Sequence, residues 1–403
     1  MCLNRDSRMT NSICVAALRS LISSVVVEEI ARLRGPGGLP VPTLAAAAKN
    51  DATFDEAGLG IDSLEQMGVR SALAEMFAIE PFSSKRDDAR ATSVAEWAEF
   101  VIDHWQYCEP ALWLRSSGTT GTSKLCRHLL ADLLDEARHF SAVVGSRRRV
   151  LALVPGEHIY GLIWTILLPT VADLPVFRTT GVDGIPLAPG DLAIAAPDHW
   201  RSLVRAGALI PPDVTGVNAA GPLADADKRK LLDAGLARML DVYGSSETGG
   251  IGMREALCSD YTLLPRWRFA PPADGASEEK HSIVSKDGSV VALPDTVVVN
   301  DAGFRLGVRR DGAVQVGGRN VDPTVVANAL LGHPMVCDVA IRLGDTGRLK
   351  AFVVPKGRPD GDKLIGELAA QAAARLPAYS RPVAYRLGLK VPRNAMGKLE
   401  DWT

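Results

Sequence analysis

The run Ser116-Ser117-Gly118-Thr119-Thr120-Gly121-Thr122-Ser123-Lys124 limits what this chain can be more than any other stretch. It strings hydroxyls and two glycines together, ends on a lysine and carries almost no bulk. Glycines let the backbone turn tightly and bring its N–H groups close to a ligand. Successive N–H groups with Ser and Thr hydroxyls make a concave anion site, and Lys124 adds a point charge. The pattern reads as a phosphate cradle, with Ser116, Ser117, Gly118, Thr119, Thr120, Gly121 and Lys124 as candidate ligands. It is not the Walker form, which sets four residues between its first glycine and Gly-Lys-Ser/Thr.

A second run has complementary chemistry. Leu240-Asp241-Val242-Tyr243-Gly244-Ser245-Ser246-Glu247-Thr248-Gly249-Gly250 takes a strand into an aromatic ring, glycine, hydroxyls and one carboxylate. The Tyr243 ring can stack on adenine and the Ser246 hydroxyl can bind an α-phosphate. Glu247 can hold Mg²⁺, a hard cation that prefers oxygen ligands. Earlier, Val150 to Val154 reads as a short strand followed by Pro155-Gly156-Glu157-His158. A turn after a strand is where α/β proteins place ligands, so His158 is a candidate for the substrate side.

Together the two runs resemble the acyl-adenylating superfamily of acyl-CoA and aryl-CoA ligases and peptide-synthetase adenylation domains. Ser123 and Leu125 stand where the family's loop has Pro and Gly, and Ser246 replaces a Thr. The resemblance implies further roles. Val217 to Leu223 resembles the loop whose backbone flanks adenine, with Ala220, Gly221 and Pro222 at its centre. Asp295 aligns with the ribose-binding aspartate, with Asp301 as its rival, and Asp311 aligns with the hinge before a mobile lid. Pro392-Arg393-Asn394-Ala395-Met396-Gly397-Lys398 resembles the catalytic-lysine loop, in which Lys398 bridges the substrate carboxylate and the α-phosphate. The same resemblance puts His158 beside the acyl pocket. The longer run through Ile251 is most similar to ligases of aryl polyene and xanthomonadin-type pigment pathways.

The segment before the phosphate loop reads differently. Gly60-Ile61-Asp62-Ser63-Leu64 opens a helical pattern, and Thr92-Ser93-Val94 opens another. The stretch 11–105 holds 14 acidic and 8 basic residues, a net charge of −6. It resembles an acyl or peptidyl carrier protein, acidic enough to dock on basic partner enzymes. The resemblance implies that Ser63 carries 4′-phosphopantetheine, added by a phosphopantetheinyl transferase. The expected fold is multidomain: an all-α four-helix carrier domain (11–105), an α/β adenylation core shortened at its N-terminus (111–307), and a small α+β lid (308–403).

The whole-chain net charge of −2 offers no basic field for nucleic acid, and no apolar run reaches the length of a membrane span. Six cysteines form no close pairs, which fits a reducing cytoplasm. The expected activity has two steps: a carboxylic acid, aromatic by the subfamily resemblance, attacks Mg·ATP to give an acyl-adenylate, and a pantetheine thiol then takes the acyl group. Ser63's own arm is the expected acceptor, with ketosynthase or acyltransferase-type enzymes downstream. Free coenzyme A as acceptor, or a non-catalytic carrier on a scaffold, are the alternatives.

Overall fold

A computed structural model describes residues 5–35, 41–42, 47, 52–79, 91–115, 124–179, 185–271, 279–309, 312–392 and 399–402. Three helices open it: α1 (Arg5–Arg34), α2 (Ser63–Met76) and α3 (Val94–Trp105). Asp62 caps α2. Its carboxylate accepts from the N–H groups of Leu64 and Glu65, and Glu65 reaches back to the Asp62 N–H. This reciprocal cap leaves Ser63 exposed at the first helical position, with its hydroxyl not used as the cap. Arg34 locks the end of α1 to the start of α2, bonding Glu65 at 2.6 Å and the Gly60 carbonyl at 2.7 Å.

The buried core of these helices is continuous with that of the following α/β unit. Leu18, Leu21, Ile22 and Val25 of α1 join one continuous buried cluster with Leu73, Trp97 and the interior of the following α/β unit. The reason is compositional. From Ala17 to Ile30, α1 is apolar on more than one face, so α2 and α3 cover only part of it. The remainder packs on a helical segment of the next unit, 163–172.

That unit begins with the antiparallel pair β1 (Ala111–Arg115) and β2 (Leu125–Leu129), which flank the phosphate loop. Helix α4 (Leu130–Val144) leads to β3 (Arg149–Ala152). Next come α5 (Ile159–Leu162), a π-helical stretch Ile163–Leu167, and α6 (Leu168–Ala172). The chain continues through β4 (Val176–Arg178), β5 (Asp191–Ala195), α7 (Pro197–Ala206), β6 (Thr215–Asn218), α8 (Asp225–Asp233), β7 (Arg238–Ser245), β8 (Gly249–Glu255) and β9 (Thr262–Leu263). The seven-stranded sheet has the order β4-β3-β5-β6-β7-β8-β9, parallel from β4 to β7 and antiparallel thereafter. Every residue of β5 is buried, as helices on both faces of a parallel sheet require. Successive strands run outward on both sides of β3, so the turn after β3 lies at the topological switch point, where such sheets bind ligands.

A four-stranded antiparallel sheet follows: β10 (Trp267–Phe269), β11 (Glu279–Ser285), β12 (Val290–Asn300) and β13 (Gly303–Arg309). The C-terminal part has a core of its own. It contains a tight hairpin, β14 (Val314–Val316) and β15 (Arg319–Val321), then α9 (Pro323–Leu331), β16 (Val336–Leu343), β17 (Leu349–Pro355), α10 (Gly361–Arg375) and β18 (Ala384–Leu387). Side chains alternate across this sheet. Val339, Ile341, Leu349, Ala351 and Val353 face α9, α10 and the hairpin. Ala340 and Phe352 face the other way, against Val391 and Trp402. The α/β core and the small α+β C-terminal unit thus match the expected fold.

No helix among the described residues is long and apolar enough to cross a membrane. The described cysteines Cys108, Cys126, Cys258 and Cys337 are free.

Candidate active site

The site is built on the hairpin between β7 and β8. Gly244 is obligatory in it, because a Cβ there would lie 2.2 Å from the Gly249 carbonyl oxygen. Gly249 has a φ of +68°. Within the turn, Thr248 Oγ1 accepts from the Ser245 N–H at 3.1 Å and donates to the Gly249 carbonyl at 2.9 Å. Glu136 of α4 supports the turn from below. It is buried, accepts from the Gly250 N–H at 2.8 Å and pairs with Arg266 at 3.2 Å. Burial pushes its pKa up to about 7 despite Arg266.

His128 ties this hairpin to the phosphate-loop strand. Its ring is buried on β2, and Nε2 lies 2.7 Å from the Ser246 carbonyl, to which it donates in the tautomer that this geometry requires. Burial lowers its pKa, so the ring is held neutral. Lys124 and Glu247 are both exposed and both act on the Cys126 thiol from opposite electrostatic sides, so the end of the phosphate loop and the candidate Mg²⁺ ligand are neighbours. Among the described residues no three His, Cys, Asp or Glu side chains gather as a metal site. One exposed carboxylate beside a phosphate loop fits Mg²⁺, which is usually held by one or two carboxylates plus substrate phosphates.

Tyr243 leaves β7 toward β12, where its hydroxyl donates to Asp295 Oδ2 at 2.8 Å. Asp295 is buried; Asp301 is exposed in the turn between β12 and β13. The Ala220-Gly221-Pro222 loop follows β6. Ala220 adopts the left-handed conformation at φ +60°. Behind it Asn218 donates to the Gly221 carbonyl at 3.1 Å and to Asp241 at 3.0 Å, and Asp241 is also held by the buried Lys228 and by Arg254. The C-terminal unit closes on this loop. A Cβ on Gly318 would come 3.1 Å from the Ala220 Cβ, and one on Gly221 would meet Gln315 at 3.4 Å.

His158 precedes α5 at the switch point, with 53% of its side chain exposed. Tyr160 holds that turn to the carboxyl ends of β5 and β6 by donating to the carbonyls of Val217 (2.8 Å) and Ala195 (3.2 Å). Glu157 lies beside it, 3.6 Å from His158 Nε2. Burial and the nearby Glu28 of α1 push Glu157 up to about 8. Arg319 of β15 acts electrostatically on both Glu157 and His158.

The structure therefore brings Lys124, Ser246 and Glu247 together, Tyr243 onto Asp295, and the C-terminal hairpin onto Ala220 and Gly221. Ser63 stands on the helical unit. Ser116, Ser117, Gly118, Thr119, Thr120, Gly121, Asp311 and Lys398 lie outside the described residues. Sequence reasoning misses His128, Glu136, Asp241 and Arg319. Glu136 had a signal: it interrupts the apolar stripe Leu133, Ala137, Phe140 of α4 at a buried position, where an ionisable residue needs a partner.

No protein-family model matches the sequence. The chain is 34% identical over 391 residues to a 4-coumarate–CoA ligase of Halorhodospira halophila, covering 94% of this chain and 97% of that protein. It is 35% identical over 370 residues to a 4-coumarate–CoA ligase of Rhodobacter capsulatus, covering 89% and 94%. The helical N-terminal quarter is thus largely inside the alignment with proteins named as CoA ligases. Among solved structures, the amide bond synthetase McbA from Marinactinospora thermotolerans superposes with a TM-score of 0.60 at 17% identity, over 94% of this chain and 92% of that one. A double mutant of the o-succinylbenzoate CoA synthetase from Bacillus subtilis gives 0.57 at 20%, over 72% and 67%. These two share the fold. On the full-length relatives and this fold, the chain belongs to the AMP-forming acid–CoA ligases.

Proposed function

We propose that the chain activates an aromatic carboxylic acid with Mg·ATP as an acyl-adenylate and passes the acyl group to the thiol of coenzyme A. The relatives named for 4-coumarate support an aromatic acid, and they favour coenzyme A over a fused carrier as acceptor. One observation carries the reading: the phosphate-loop strand, the Tyr243–Glu247 hairpin and Asp295 converge through the 2.7 Å His128–Ser246 and 2.8 Å Tyr243–Asp295 contacts. In this reading Tyr243 stacks on adenine, flanked by the Ala220–Pro222 backbone, and Asp295 accepts the ribose hydroxyls. It is preferred to Asp301 because it is buried beside that ring. Ser246, Lys124 and the loop 116–121 hold the phosphates. Mg²⁺ held by Glu247 supplies neutralising charge to the phosphates when bound. Lys398 spans the two reacting anions, His158 lines the acyl side, and the lid turns about Asp311. We place the enzyme in the cytoplasm, in keeping with its free described cysteines.

A second reading keeps Ser63 as a phosphopantetheine site loaded in cis, with a phosphopantetheinyl transferase and downstream acyl-handling enzymes as partners. It is favoured by one feature: Ser63 is exposed and free of capping duty, and the exposed apolar side chains of Leu64 and Met67 adjoin it as carrier docking surfaces do.

The test combines ATP–pyrophosphate exchange, acyl-CoA formation by mass spectrometry, and intact mass after treatment with a broad phosphopantetheinyl transferase. Acid-dependent exchange with acyl-CoA as product supports the first reading. A pantetheine adduct on Ser63 bearing an ATP-dependent acyl increment, without acyl-CoA, transfers support to the second. No acid-dependent exchange with any aromatic acid overturns both.

A further inference from the structure

The segment that follows Lys398 is gripped by the sheet beneath it in a way that sheet formation alone does not call for. Arg342 of β16 and Lys350 of β17 stand directly opposite each other across the antiparallel pair, on the same outer face as Ala340 and Phe352. Like charges so placed destabilise a sheet. Here both converge on residues 399–402. Arg342 Nη1 donates to the Leu399 carbonyl at 2.8 Å, and Lys350 Nζ donates to the Trp402 carbonyl at 2.5 Å. Asp401 Oδ1 lies between the two cations, 2.8 Å from Lys350 Nζ and 3.8 Å from Arg342 Nε. The Trp402 ring is 7% exposed, meets Phe352 edge to face with centroids 5.6 Å apart, and lies 5.5 Å from the Lys350 ammonium. The chain on the other side of Lys398 is fixed as well. Val391 is buried in the same cluster, and the Pro392 carbonyl accepts from the Glu400 N–H at 3.1 Å.

We propose that Arg342, Lys350, Asp401 and Trp402 are positioning residues for Lys398, fixing the stretch of backbone from which its ammonium reaches the substrate carboxylate and the α-phosphate. This rests on the acid-activation reading above and adds to it the residues that set the lysine in place.

The need for such a device is physical. A lysine ammonium is a point charge on a flexible four-carbon stem, so the side chain does little to fix its own position. A charge that must stand between two reacting anions loses about a hundredfold in rate when it is misplaced by about 1 Å. The grip begins at Leu399, the residue next to Lys398, and its side chains stand on β16 and β17. The lysine's anchor therefore moves as one body with the C-terminal unit. The grip lies on the face of the sheet opposite the core that holds the β14–β15 hairpin, so weakening it bears on the lysine and spares the hairpin.

The experiment measures the two half-reactions separately in the full-length protein: ATP–pyrophosphate exchange with a panel of aromatic acids, and thioester formation from coenzyme A and the chemically prepared adenylate of the best of them. The variants are Lys350→Met, Asp401→Asn, Trp402→Ala and Trp402→Phe, with Lys398→Ala alone and combined with Trp402→Ala. We expect Lys350→Met and Trp402→Ala to lower kcat for exchange about tenfold or more while thioester formation stays within about twofold of wild type. Asp401→Asn moves the same way by less, and Trp402→Phe, which keeps a ring against Phe352, recovers most of the rate. Because the grip acts through Lys398, adding Trp402→Ala to Lys398→Ala lowers exchange no further. Equal loss of both half-reactions overturns the assignment, since that is the result if these residues only hold the unit folded. So does unchanged exchange in Lys350→Met, or a double variant clearly slower than Lys398→Ala. Each of these outcomes leaves acid activation standing. Exchange by the wild type with none of the acids overturns the acid-activation reading itself, and this assignment with it.

Discussion

At the scale of single residues, buried carboxyls set the pH response. Glu136 titrates near 4.5 when exposed in the unfolded chain and near 7 when folded, and Glu157 near 4.5 and near 8. Between those values the folded state holds more protons than the unfolded one. The stabilisation is therefore complete below about pH 4.5 and is lost as pH rises through the folded values. We expect the melting temperature to fall between pH 5 and pH 8. Glu136→Gln keeps an acceptor for the Gly250 N–H and removes the titration, so it should flatten that slope by an amount on the order of 2 kcal/mol. A slope identical in wild type and Glu136→Gln, followed by circular dichroism at several pH values, would refute the assignment.

At the scale of elements, the C-terminal unit has two working faces. Its β14–β15 hairpin turns on Gly317 and Gly318, at φ +54° and +78°, and seats on Ala220. The described residues on either side of Lys398, Val391 and 399–402, pack on or beside the opposite face of the β16–β18 sheet. In the proposed reading, one orientation of this unit offers the hairpin to the nucleotide loop and a second one serves Lys398. Gly318→Val, strained by its φ and by a Cβ 3.1 Å from Ala220, should block the seated orientation. We expect it to reduce thioester formation about tenfold while sparing pyrophosphate exchange. Lys398→Ala should do the reverse, losing about a hundredfold or more in exchange yet still converting supplied acyl-adenylate to thioester. Equal loss of both half-reactions in both variants would refute the division. Elements of this kind are well disclosed by sequence. The helices opening near Ser63 and Val94, the strand from Val150 and the strand entering Tyr243 stand where periodicity and turn residues put them. The candidate site is disclosed only where its chemistry is local, as in the run from Tyr243 to Glu247. His128 meets Ser246 across 118 positions of chain, and Arg319 acts electrostatically on His158 from a distant element. No local pattern encodes either meeting, because each depends on how separate elements pack.

At the scale of the whole molecule, the buried cluster that runs from α1 through α3 into the main sheet predicts cooperative unfolding. The helical segment and the α/β core should melt in one calorimetric transition, with the C-terminal unit, which has its own core, free to melt separately. Two resolved transitions that assign residues 5–105 to one and the main sheet to another would contradict the shared core. Leu21 and Ile22 of α1, 2% and 0% exposed, face protein on all sides, and a fully buried Leu or Ile contributes roughly 1.5–3 kcal/mol. For anyone recombining biosynthetic proteins, the junction near Pro110 looks like a cutting point and is not one. A splice there would strip one partner of its roof and leave the other's greasy underside bare, so the heritable unit of exchange is the pair.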